Sequence, residues 1–129
     1  MTILPITSLF AAAYAVALVA LSFPVSLRRL KVGDMTGDST DEILHRRIRA
    51  QGNFIEYVPL GIIVLGLVEA HAAPAWMVGA IGGVLALGRL LHAFGMLRAS
   101  DPVRGFGMIF TYLALLFAAG RLFVDAIAQ

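Results

Sequence analysis

The chain has 129 residues, of which 60% are hydrophobic and 14% charged, where ordinary soluble domains run nearer half and a quarter. Its mean hydropathy is +0.88, and a fold this small has too much surface for its volume to hide so many apolar side chains from water. A soluble single domain, a disordered tail and a nucleic-acid-binding domain are thereby excluded, and the composition points to one integral membrane domain over 1–129.

The net charge is +2, from 10 basic and 8 acidic residues. Every basic residue except Lys31 is an arginine, and most stand where apolar segments end. That pattern reports topology before it reports a partner. There is no cysteine, so the chain has no disulfide, no thiolate metal site and no cysteine nucleophile; any thiol chemistry needs a thiol brought by a ligand.

Residues 1–27 carry no charged side chain, enough for a spanning helix over about 5–29. The run has no basic leading region and is too long for a cleaved signal peptide. Arg28, Arg29 and Lys31 close it. Residues 31–40 read as a loop, in which Gly33 and Gly37 break helix and Asp34, Asp38, Ser39 and Thr40 favour turns. Asp34, Thr36, Asp38 and Thr40 imitate the start of a calcium loop, but Ser39 and His45 occupy the glycine and glutamate positions, which rejects calcium. Ser39 with Glu42 makes a capping box for a second helix, 40–69. Its first two turns are charged, and Pro59 is placed to kink it. After a turn at 71–74, with a solvated His71, a third helix runs over 74–98 and carries Trp76 as an interface anchor. Arg98 to Arg104, with Asp101-Pro102, reads as a loop. The fourth helix covers 103–126; Arg121 snorkels outward and pairs with Asp125.

Short connections favour an antiparallel four-helix bundle. Gly79-x-x-x-Gly83, with Gly82 and Ala86, allows close helix contact inside it. Arg28, Arg29, Lys31, Arg46, Arg47, Arg98 and Arg104 fall at one end. The positive-inside rule puts that end, with the first and third loops, in the cytoplasm and both termini on the other side; a bacterial inner membrane is the expected location.

Ionisable groups at membrane depth are expensive and carry the functional information. Arg46, Arg49, Asn53 and Glu56 share one helical face, flanked by Tyr57. The third helix has a stripe of Arg89, His92 and Met96. Glu56 lies roughly 15 Å below Arg46 and Arg89 roughly 13–14 Å below Arg98, so the two can meet at one level. Together the stripes predict a polar cleft opening at the basic end, with Arg28, Arg29, Arg49 and Arg104 around its mouth. A Glu56–Arg89 ion pair that only fixes helix register is the plainer account of those two residues. It leaves surplus positive charge, which suits an anionic ligand, because guanidinium forks match carboxylates. Arg46 and Arg47 are better assigned to lipid phosphates. The histidines, His45, His71 and His92, are dispersed, which argues against a metal site. The polar stripe stops halfway across, which argues against a channel.

The run Arg46-Arg47-Ile48-Arg49-Ala50-Gln51-Gly52-Asn53-Phe54-Ile55-Glu56-Tyr57-Val58-Pro59-Leu60 resembles the signature of the MAPEG family, the membrane-associated proteins in eicosanoid and glutathione metabolism. Ser26-Leu27-Arg28-Arg29 is similar to the arginine pair closing the family's first helix, and Gly88-Arg89-Leu90-Leu91-His92-Ala93-Phe94-Gly95 to its third-helix motif. The resemblance covers the whole chain and suggests a bacterial-type member. It implies a homotrimer of four-helix bundles, with glutathione as co-substrate between neighbouring subunits and a lipophilic second substrate. It implies glutathione contacts at Arg28, Arg49, Gln51, Asn53, Glu56 and Tyr57, to which the two stripes add Arg89 and His92. It implies thiol activation by Arg104, with Arg29 as a second arginine at the site. The expected activity is that of a glutathione transferase or peroxidase. The chain departs from the pattern at His92 and Met96, where family transferases carry tyrosines. The alternative is a non-catalytic membrane protein of the same fold that binds a lipid or another anion in the cleft.

Overall fold

The computed structural model describes residues 2–129. Four helices follow in order: α1 Pro5–Val32, α2 Glu42–Ala70, α3 Ala75–Leu97 and α4 Asp101–Ile127. Each is long and apolar enough to cross a membrane, and the described residues form no strand. The protein is an all-α four-helix membrane bundle. Side-chain contacts show that neighbours run antiparallel. Glu69 near the end of α2 reaches the start of α1, and Arg121 near the end of α4 reaches Met77 at the start of α3. The α1–α2 and α3–α4 connections therefore share one end, the basic end.

The helix boundaries have local causes. Leu4 before α1 is left-handed and offers no side-chain cap. The Glu69 carboxylate of α2 supplies the cap instead, accepting from Ile6 N at 2.9 Å and Thr7 N at 2.8 Å. Backbone donors of a helix's first turn have no partner within the helix, and a carboxylate there also meets the positive end of the helix dipole. Gly33 ends α1 at φ 85°, a left-handed position glycine adopts without penalty.

The capping box expected from Ser39 and Glu42 is not formed. Asp41 is the cap of α2, accepting from Leu44 N at 2.8 Å. Ser39 Oγ accepts instead from Asp41 N, and Glu42 pairs with Arg46. A carboxylate one residue before the helix satisfies the free donors more directly than a serine two residues further back. Asp101-Pro102 likewise opens α4 instead of belonging to the loop. Proline is favoured in a first helical turn, where its missing N–H costs nothing.

Glycines set the helix contacts, and of those the spacing singled out only Gly82 takes part. Gly79 and Gly83 face open space. The close approach is between α3 and α4: a Cβ at Gly88 would lie 2.8 Å from Gly107 O and Thr111 N, and Gly95 and Gly107 abut the backbones of Arg104 and His92. Gly82 receives the ring of Phe10 from α1. The core lies among α1, α2 and α3, around Phe54, Val58, Leu65, Val78 and Leu85, and Ala114 and Ala118 bring α4 onto it. α1 packs on α2 and α3 but does not touch α4. Its outward side chains, such as Val16 and Phe23, are largely exposed, as are those of α4 such as Phe117; these surfaces suit lipid and not water.

Candidate functional site

The polar residues gather into three groups. The first is buried in mid-bundle and centred on Arg89, which is 4% exposed. Its Nη1 donates to Asn53 Oδ1 at 2.5 Å and to Asn53 O at 3.3 Å. Its Nε and Nη2 donate to Thr111 Oγ1 at 3.1 and 2.9 Å, and Nη2 also reaches Met108 Sδ at 3.5 Å. The Thr111 hydroxyl in turn donates to Gly107 O at 2.8 Å. The guanidinium lies over the Tyr57 ring, 5.4 Å from its centre, and the Tyr57 and Tyr112 hydroxyls are 3.4 Å apart.

The expected Glu56–Arg89 ion pair is not made. A helix turns about 100° per residue, so Glu56 stands roughly 60° around α2 from Asn53, on the exposed edge, while Asn53 points inward. Arg89 is instead satisfied by neutral acceptors and an aromatic face, which spread its charge without a second buried ion. Thr111, Met108 and Tyr112 were not visible as partners in the sequence. A lone threonine four residues after a glycine in an otherwise apolar helix was the available signal.

The second group lies on the exposed edge of α2 and the basic end of α4. Arg49 Nη2 is 3.8 Å from Glu56 Oε1, with side chains 46% and 52% exposed. That separation is long for a hydrogen-bonded pair, so both charges remain open to a ligand. Arg104 pairs with Asp101 at 3.2 Å. It shares a hollow of about 290 Å³ with Met96, Gly95, Glu42, His45 and Arg46. His92 is buried at the α3–α4 crossing, its backbone against Gly107.

The third group faces α1 and its loop. Arg28 grips Asp41 with two bonds, Nε to Oδ1 at 3.0 Å and Nη2 to Oδ2 at 2.8 Å. This pairing, joined by the Leu44 N–H, pulls the Asp41 carboxyl down to about 2. Arg29 donates to Asp34 O at 2.9 Å and Gly37 O at 2.7 Å, holding the loop. Gln51 Nε2 donates to Ser22 Oγ at 2.7 Å. His45 lies 2.7 Å from Asp38, and that contact, with the Ser39 N–H, holds the Asp38 carboxyl below its ordinary range.

The ten residues singled out in the sequence therefore do not ring one cleft within a single chain. Asn53, Arg89 and His92 are buried, with Tyr57 half-buried beside them. Arg49, Glu56 and Arg104 face outward, and Arg28, Arg29 and Gln51 are tied to α1 and its loop. No hydrogen bond or ion pair joins the last set to the second among the described residues. Nor do the described residues bring three or more His, Asp or Glu side chains together as a metal cluster.

Comparison with known proteins places this arrangement. The inner membrane protein YecN of Escherichia coli K12 is 35% identical over 111 residues, covering 86% of this chain and 85% of its own. The protein of the same name from Escherichia coli O6:H1 matches equally. No solved structure gives a significant match. The model of the MAPEG family matches residues 7–124, a span that holds all four helices nearly end to end and every residue of the three polar groups. The chain belongs to the MAPEG family.

Proposed function

We propose that this protein is a glutathione-dependent transferase or peroxidase of the inner membrane, working as a homotrimer. The observation that carries the reading is the loose Arg49–Glu56 pair on the exposed edge of α2. A guanidinium and a carboxylate held 3.8 Å apart match a zwitterion. The amino-acid end of glutathione offers a carboxylate to Arg49 and an ammonium to Glu56. Arg28 keeps Nη1 free of bonds among the described residues, and it suits the second carboxylate when it comes from a neighbouring subunit, as does Gln51. The separation of those residues from Arg49 within one chain supports a site shared between subunits. Asn53, Tyr57, Arg89 and His92 back the pocket wall. Arg104 stabilises the thiolate of a thiol whose ordinary pKa is about 8.5, with Arg29 as the second arginine. The thiolate attacks a lipophilic electrophile arriving through the membrane and displaces its leaving group, such as halide. Alternatively it cleaves the O–O bond of a peroxide, releasing the alcohol and leaving a glutathione sulfenic acid that a second glutathione converts to the disulfide and water. The basic end then faces the cytoplasm.

The test is conjugation of glutathione to an aromatic halide by the protein in detergent. The expected result is turnover, a glutathione-induced rise in melting temperature, and loss of turnover in Arg104→Ala. Absence of all three rejects the reading. Met96, beside Arg104 in the basic-end hollow, favours a second reading because it offers no hydrogen-bond donor. The protein then holds a lipid or other anion without turnover, and phospholipid retained against excess glutathione would support it.

A further inference from the structure

The seam along which α1 faces α2 and α3 holds two hollows. The upper one, about 290 Å³, lies at the basic end beside Pro24, Arg46, Arg47 and Leu97. The lower one, about 330 Å³, runs past Ala13, Ala17 and Ala93 and closes on Tyr14 and Arg89. Ala20 and Leu21 line both, so the two are stretches of one groove. From Pro24 to Tyr14 it follows ten residues of α1, roughly 15 Å.

The groove has two chemistries. Its shaft is apolar and walled by alanines, with room for a flexible chain. Its mouth carries two guanidiniums. Arg47 donates to Pro24 O at 3.1 Å and forms no ion pair among the described residues. Arg46 pairs only with Glu42, whose side chain is 75% exposed. At the floor, Tyr14 is buried with a hydroxyl that has no hydrogen-bond partner. Neither arginine at its mouth belongs to the glutathione set; the groove meets that set only at its floor, at Arg89, and beside it, where Arg46 also lines the Arg104 hollow.

We propose that this groove along α1, with its mouth on α2 and its shaft against α3, is a binding site for an anionic phospholipid. The phosphate sits between Arg46 and Arg47, and one acyl chain runs along Ala20 and Ala17 toward Tyr14. A mouth with two cations and one exposed acid favours a net negative headgroup over a zwitterionic one, whose own cation would meet the guanidiniums.

The experiment is native mass spectrometry of the detergent-solubilised protein, titrated with phosphatidylglycerol and, separately, with phosphatidylcholine of the same chains. Phosphatidylglycerol is expected to bind about tenfold more tightly. Arg46→Gln/Arg47→Gln should remove that preference, Arg46→Lys/Arg47→Lys should keep most of it, and Arg98→Gln should leave it intact. Ala17→Trp, filling the shaft, should weaken both lipids; Ala20→Leu serves if the larger side chain prevents folding. Equal binding of the two lipids overturns the proposal. So does an Arg98→Gln loss as large as the double variant's, or undiminished binding with the shaft filled. Inorganic phosphate raising the melting temperature as far as phosphatidylglycerol does would show a free-anion site and also overturn it.

Discussion

Arg89 and Asn53 meet across the α2–α3 interface with Nη1 2.5 Å from Oδ1, and no carboxylate takes part in the contact. The charge of Arg89 is fixed inside the bundle by neutral groups from two other helices. Asn53 and Thr111 are therefore structural requirements of Arg89, whatever the ligand.

Asn53→Leu removes an acceptor from a buried cation. Hydrogen bonds to charged groups contribute about 1.5–3 kcal/mol, so a loss of that order is expected, read as a lower melting temperature in detergent. Arg89→Met should cost less than Asn53→Leu, because it removes the charge along with its needs. The reverse ranking would mean that the guanidinium is paired in some other way.

The α3–α4 glycines should be intolerant and those of the Gly79-x-x-x-Gly83 pattern tolerant. Gly107→Ala places a methyl against the His92 backbone, while Gly83→Ala meets nothing within 4 Å. The first should lower the melting temperature sharply. The second should be neutral or stabilising by about 0.4–1 kcal/mol, since alanine restricts the unfolded chain.

Acid should loosen the α1–α2 loop in a defined window. The Asp41 carboxyl lies at about 2, below its ordinary 3.8. A depressed carboxyl stabilises the fold above its ordinary pKa, and that contribution is lost as pH falls through the folded value. The melting temperature should therefore show this loss between about pH 4 and about pH 2. Asp41→Asn should remove that component of the pH dependence and lower the plateau above it.

Tyr14→Phe deletes a buried hydroxyl that has no partner. Burying an unpaired polar group costs about 1–3 kcal/mol, so the variant should melt no lower than the parent and is expected to melt higher. A clear drop would show that the hydroxyl is bonded in the membrane.

The four helices were legible because long uncharged runs bounded by arginines have few other solutions in a 129-residue chain. Arg121 pairs with Asp125 at 2.9 Å, as an i,i+4 spacing on one helix dictates. Contacts between helices were harder to read. Spacing placed Glu56 and Arg89 at one depth, but depth does not set rotation, and a few tens of degrees put Glu56 at the edge and Asn53 inside. Gly79 and Gly83 have the right spacing, but Gly88, Gly95 and Gly107 lie where α3 and α4 cross, and a crossing point belongs to two helices at once. In the sequence Glu69 is simply a charge at the end of an apolar run; its role at Ile6 and Thr7 depends on a partner more than sixty residues earlier.

That last contact sets an order of assembly. The free amides at the start of α1 receive their acceptor from residue 69, so the first helix cannot complete its end until the second has been synthesised down to its last turn. In a bilayer an unmet amide has no water to turn to. The two helices are thus finished together, as a hairpin closed by one carboxylate, and Glu69→Ala should show its first effect in the yield of inserted protein.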